Sequence, residues 1–185
     1  MGMAAPLYHT ADMARALTDE ACHWPRYETV HGELLVTPAP RPWHQTITLR
    51  LATALVAYTA RERVGEVFTS PADISWGPDT LVQPDVFVVP LEEARTLAWP
   101  TIRTLLLAAE VLSPSSVRAD RFTKRRLYQE RGVQPYWAID PDARTVEIWS
   151  PNDHVPRLET ERLVWSPMGA SRAFEMKLWE LLRPI

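Results

Sequence analysis

Apolar residues at Ile47, Leu51, Leu55 and Tyr58 recur one turn apart, so the chain predicts a long packing helix from His44 to Val64. Pro38, Pro40 and Pro42 make a stiff connector ahead of it. Before that connector, Tyr27 to Thr37 follows the period-two pattern of a hairpin, with His31 and Gly32 at the turn and glycine supplying a conformation other residues resist. A two-residue loop there sets Val30 opposite Glu33 and Glu28 opposite Leu35, and alternation puts Glu28 and Glu33 on one face. Residues 10 to 20 are rich in helix formers behind Thr10 as a cap, and Pro25 closes that short helix.

Beyond the long helix, Glu66 to Ser70 and Asp73 to Trp76 read as short strands around Pro71. A turn, Gly77-Pro78-Asp79-Thr80, leads into an apolar run from Leu81 to Val89 that reads as one strand. Residues 91 to 104 are broken by Pro100 and predict a helix only from Leu91 to Leu97. The stretch from Leu105 to Leu112 is apolar almost throughout, the mark of a central strand covered on both faces. Residues 118 to 131 predict a helix stopped at Gly132. Tyr136 to Asp140 and Thr145 to Ser150 are strands joined by a Pro-Asp-Ala-Arg turn, with a further strand near Leu158 to Trp165 and a final amphipathic helix from about Phe174 to Leu182.

With 185 residues, 46% hydrophobic and 23% charged, the chain is sized and composed for one globular domain, with its core in about residues 20 to 150 and a strand and helix in 155 to 185. No apolar run approaches the length of a membrane span. The start, Met-Gly-Met-Ala-Ala-Pro-Leu-Tyr-His, lacks a basic segment followed by an apolar one, so no export signal and a cytoplasmic location are expected. Cys22 alone allows no internal disulfide and no cysteine-rich metal cluster. The five histidines show no metal-ligand spacing, and a net charge of -3 argues against indiscriminate binding to polyanions while leaving room for a local basic patch.

Two carboxylates, Asp85 and Glu110, stand inside those buried-looking runs, where an ionised group needs a partner. The 25 positions between them let one strand return beside the other, and hard oxygen ligands of this kind suit Mg2+ or Mn2+. Lys124 lies on the following helix, where fourfold spacing places Asp120, Lys124 and Tyr128 on one face. The same segment carries six basic residues, Arg118, Arg121, Lys124, Arg125, Arg126 and Arg131, against Asp120 and Glu130, a local excess suited to a phosphate backbone. The plain alternatives are a surface ion pair between Lys124 and Asp120, and solvated hairpin positions for Glu28 and Glu33.

Pro84-Asp85, Glu110-Val-Leu-Ser-Pro-Ser-Ser, Asp120 with Lys124 and Tyr128, and Gly132-Val-Gln-Pro-Tyr-Trp-Ala-Ile-Asp-Pro together resemble the putative restriction endonuclease family Uma2, of the PD-(D/E)xK nuclease superfamily. The likeness extends back through Glu28, Glu33 and His44, covering roughly residues 20 to 150. It implies an α/β, restriction-endonuclease-like three-layer fold, with a mixed central sheet flanked by helices. It also implies a metal-dependent endonuclease-like phosphodiesterase acting on DNA, with Asp85 and Glu110 holding Mg2+ or Mn2+ and Lys124 beside the attacked phosphate. Glu28, Glu33, Asp120 and Tyr128 are accessory candidates, and Arg118, Arg121 and Arg125 are candidates for holding phosphate. The superfamily pattern has lysine two residues after the glutamate, where this chain has Leu112, and the resemblance implies that Lys124 replaces it from the helix. His31 stands where relatives commonly carry aspartate. The competing expectation is a catalytically inactive protein on the same scaffold that binds nucleic acid or a protein partner. A nuclease cutting two strands with one site per chain is expected to pair as a homodimer.

Overall fold

The structure, a computed structural model, describes residues 7–18 and 24–185. Cys22 and the last positions of the expected N-terminal helix lie outside the described residues. In chain order the elements begin with α1 (Ala11–Leu17), β1 (Arg26–Val30), β2 (Glu33–Thr37), α2 (Pro42–Glu62), β3 (Glu66–Thr69), β4 (Ile74–Gly77), β5 (Thr80–Val82) and β6 (Val86–Val89). They continue with α3 (Leu91–Ala94), a 3-10 turn (Trp99–Thr101), β7 (Leu107–Val111), a π-helical turn (Ala119–Lys124) running into α4 (Arg125–Glu130), β8 (Tyr136–Asp140) and β9 (Thr145–Trp149). The last are β10 (Arg157–Glu159), β11 (Arg162–Trp165), β12 (Phe174–Lys177) and α5 (Leu178–Leu181).

A six-stranded sheet, ordered β10-β9-β8-β7-β6-β3, forms the centre. It is mixed: β7 and β8 run parallel, joined by the crossover that contains α4, and the other neighbours are antiparallel. Its strands are covered on both sides, which is why β6 and β7 read as continuous apolar runs. One face packs on Ile47, Leu51, Leu55 and Tyr58 of α2, with Phe174, Leu178 and Leu181 from the chain's end. The other face packs on α4, through Leu127 and Tyr128, and on Val30, Ile74 and Val82 of a smaller sheet ordered β2-β1-β5-β4. The result is three layers: helices, mixed sheet, and a third layer of helix and small sheet. Each fully buried leucine of α2 contributes about 2–5 kcal/mol against truncation to alanine. No helix among the described residues is long and apolar enough to cross a membrane.

Several sequence expectations match in detail. Thr10 caps α1, its hydroxyl accepting from the Met13 N–H at 3.2 Å. His31 and Gly32, with φ of 50° and 82°, form the tight turn that sets Val30 opposite Glu33 and Glu28 opposite Leu35. Glycine is required at the turn twice over, since a Cβ at position 32 would stand 2.3 Å from the Tyr8 ring.

Others are corrected. The run from Leu81 to Val89 is two strands in two sheets, because Pro84 has no N–H to offer a ladder. The helix expected from Leu91 to Leu97 stops at Ala94, and Leu97 turns left-handed at φ 54°. The stretch from Leu158 to Trp165 divides into β10, on the edge of the large sheet, and β11, paired with β12. The final amphipathic helix is a strand followed by one helical turn. Phe174 and Met176 point inward while Glu175 and Lys177 face solvent, a period of two in which helical spacing was read.

Candidate active site

The break at Pro84 is what builds the site. Val86 pairs with Ala109 across β6 and β7, so Asp85, one residue earlier, falls beside Glu110 at the seam between the two sheets. Released from the ladder, the Asp85 N–H donates to Glu110 Oε2 at 3.3 Å, and the Val111 N–H donates to Asp85 Oδ2 at 3.0 Å. Strand alternation in β1 turns Arg26 and Glu28 toward the same place. From the crossover, Asp120, Lys124 and Tyr128 reach it on one helical face, all three buried.

Lys124 is the hub. Its Nζ lies 2.9 Å from Glu28 Oε1, 3.1 Å from Glu110 Oε1 and 3.6 Å from Asp120 Oδ1. Glu110 Oε1 also accepts from the Tyr128 hydroxyl at 2.9 Å. Glu28 Oε1 accepts from the Gln83 N–H at 2.7 Å, while its Oε2 is buried with no hydrogen-bond partner among the described residues. Asp85 is held by Arg26 Nη2 at 3.2 Å on Oδ1 and by His44 Nε2 at 2.9 Å on Oδ2. Position 112 is filled by Leu112, packed in the core beside Val30 and Leu35. The ammonium therefore reaches Glu110 from the helix, not from the strand.

Electrostatics set Asp85 apart from Glu110 and Asp120. Burial works to raise Asp85, but the His44 hydrogen bond and charge, then Arg26 and Lys124, hold it well below the usual carboxylate range. Burial pushes Glu110 well up against the pull of the Lys124 ammonium, with the neighbouring Asp85, Asp120 and Glu28 adding to the rise. Burial likewise lifts Asp120 to about 6 against the pull of Lys124 and a Ser116 hydrogen bond. Burial alone would lower Lys124, but Glu110, Glu28 and Asp120 drive it above its ordinary value, so it stays an ammonium.

A cavity of about 240 Å3 opens on this cluster. Arg41 and His44 at the start of α2 line one side, Ser113 and Ser115 the other, and Asp85 and Glu110 the floor. Among the described residues, no set of three histidine, cysteine or carboxylate side chains stands arranged to hold a metal ion. Two carboxylates suffice for magnesium when water and substrate phosphate complete the shell. Asp85 and Glu110 are hard oxygen donors of that kind, and Glu110 and Asp120, pushed up chiefly by burial, stand where a further positive charge would stabilise their ionised forms.

The structure brings together Asp85, Glu110, Lys124, Glu28, Asp120 and Tyr128. It leaves out Glu33, which shares a face with Glu28 but sits exposed beside the turn, at the closed end of the hairpin. Arg118 is exposed and does not line the cavity. Arg121 is bound to Asp140 at 2.9 Å and Glu147 at 2.7 Å, and Arg125 stacks over Trp149 at 4.6 Å, so both serve the sheet and are not turned to a phosphate. Sequence reading missed Arg26 altogether and gave His44 no role on Asp85. The one sequence signal for Arg26 was its alternation with Glu28 in β1.

A family model, Uma2, described as putative restriction endonuclease, matches residues 16–178. The chain belongs to the Uma2 family. A solved structure described as a putative nuclease belonging to DUF820, from Anabaena variabilis ATCC 29413, superposes with a TM-score of 0.71 at 22% identity, over 94% of this chain and 97% of that one. That likeness establishes a shared fold, consistent with the restriction-endonuclease-like architecture expected from sequence. No curated protein matches this Uma2 chain. At the level of the family, the chain is nuclease-like.

Proposed function

We propose that this Uma2 chain is a divalent-metal-dependent endonuclease acting on DNA, with Asp85 and Glu110 as the ligands of Mg2+ or Mn2+ and Glu28 beside them. The observation that carries the reading is the convergence of Asp85 and Glu110 on one floor, bridged by a backbone hydrogen bond and overlooked by a buried ammonium. Hydrolysis of a phosphodiester forms one bond from a water oxygen to phosphorus and breaks the bond to the departing oxygen, with one proton leaving the water and one taken up by the departing oxygen. Bound at the two carboxylates, the metal would supply activation of that water and charge neutralisation. Lys124, held as an ammonium, cannot take the proton; its role is to fix Glu28 and Glu110 and offset charge at the phosphate. Asp120, lifted to about 6, is the carboxylate able to exchange a proton near neutral pH. Tyr128 orients Glu110 through its hydroxyl. Cutting both strands takes two such sites, which favours a homodimer.

The test is cleavage of plasmid DNA with manganese by the parent and by Asp85→Asn. The variant is expected to lose at least about a hundredfold of the parent rate. Metal-dependent cleavage that persists in the variant removes Asp85 from the mechanism. A second reading, a binding protein without turnover, is favoured by one observation: Arg26, His44 and the Val111 N–H already occupy both oxygens of Asp85. A parent that binds DNA with no cleavage under any divalent ion would decide for it.

A further inference from the structure

We propose that the amino-terminal end of α2, with Arg41 at the rim and Arg26 below it, is the subsite that grips one phosphodiester of the DNA backbone. This rests on the nuclease reading and deepens it, since it names the residues that would hold substrate beside Asp85 and Glu110. α2 is 21 residues long and starts behind Arg41 with no side-chain cap. Pro42 has no N–H and the Gln45 N–H donates to the Arg41 carbonyl at 3.2 Å, so the Trp43 and His44 N–H groups carry the positive end of the helix dipole with no side-chain cap spent on them. Arg41 and His44, from this first turn, line the cavity above the carboxylates.

Arg26 supplies an independent indication. It is 5% exposed and lines the same cavity, and its Nε is buried without a partner among the described residues. Its other two nitrogens are engaged, Nη1 with the Gln83 carbonyl at 3.2 Å and Nη2 with Asp85. A buried N–H without an acceptor is a standing cost, and a small shift of the guanidinium toward a phosphate oxygen arriving in the cavity would remove it. Arg41 is exposed and, among the described residues, forms no ion pair, in contrast to Arg121 with its two carboxylates. Its planar fork suits the paired oxygens of a phosphate. Ser113 and Ser115, whose hydroxyls lie 3.0 Å apart on the facing wall, offer neutral donors. At about 240 Å3 the cavity admits a phosphodiester and excludes a base pair, so this grip is independent of sequence.

The experiment is fluorescence anisotropy of a labelled mixed-sequence DNA duplex in EDTA across a range of KCl. It compares the parent, Arg41→Ala, Arg41→Lys and Arg162→Ala, the last an arginine of β11 outside the cavity. Arg41→Ala is expected to weaken binding about tenfold and to reduce the slope of log affinity against log salt by about one. Arg41→Lys keeps the slope, and Arg162→Ala changes neither quantity. An unchanged slope in Arg41→Ala, an equal change in Arg162→Ala, or a parent that does not bind at low salt overturns the subsite. Turnover is absent in EDTA, so a parent that binds through Arg41 yet never cleaves would defeat only the hydrolytic reading. A parent that cleaves with an Arg41-independent slope would defeat only the subsite.

Discussion

Lys124→Met keeps a side chain of similar length in the same tunnel and removes only the charge. In the parent that charge lies within 3.6 Å of three carboxylates, each no more than 3% exposed at the side chain. Coulomb attraction at these separations is about 5 kcal/mol per pair at an effective dielectric near 20. Those terms do not add, because unpaired acids take up protons and so limit the loss. Breaking a buried pair by removing one partner costs about 3–5 kcal/mol, and we expect that deficit near pH 8. Asp120 is lifted from 3.8 to about 6 even with the ammonium present, and Glu110 is pushed up as well. A carboxyl raised in the folded state stabilises below its unfolded value and loses that contribution as pH rises through its folded value. Without Lys124 both acids rise further, so the variant folds best protonated and its deficit shrinks toward about pH 5. Lys124 itself stays charged folded or unfolded across that window and adds no slope. Asp85, held low, contributes stability above its ordinary value and loses it only at more acid pH. Urea unfolding of parent and variant, followed by tryptophan fluorescence at several pH values, measures the difference. A deficit below about 1 kcal/mol, or one that does not change with pH, would refute this account of the cluster.

Tyr128→Phe removes the hydroxyl on Glu110 and keeps the ring packed against Trp76 and Tyr136, so urea unfolding should show a loss of about 1–3 kcal/mol. Arg121→Ala removes two partly exposed ion pairs to β8 and β9; it should cost about 0.5–1 kcal/mol in the same assay and leave DNA affinity at fixed salt unchanged.

What the sequence disclosed follows from what local pattern can encode. The 3.6-residue period of α2 named its four buried anchors, and the His-Gly turn set the hairpin register. Asp85 and Glu110 were conspicuous because charge in an apolar run demands a partner, and fourfold spacing put Asp120, Lys124 and Tyr128 together. Arg26 and His44 were not legible as partners of Asp85, lying 59 and 41 positions away in elements whose packing only the tertiary fold decides. Counting charge in residues 118 to 131 overstated the basic patch for the same reason. Asp140 and Glu147 neutralise Arg121 from strands that the segment itself says nothing about. Pro84, by contrast, was a readable break in the run from Leu81 to Val89, and the alternation from Phe174 to Lys177 was a readable strand.

In the proposed reading Asp85 and Glu110 share a divalent cation. Thermal unfolding with increasing Mn2+ tests it most directly, because a ligand bound only to the folded state stabilises by about 2.7 kcal/mol at a hundred times its dissociation constant. The parent should gain several degrees and saturate, while Asp85→Asn should gain none; equal shifts in the two proteins, or no shift in the parent, would contradict the claim.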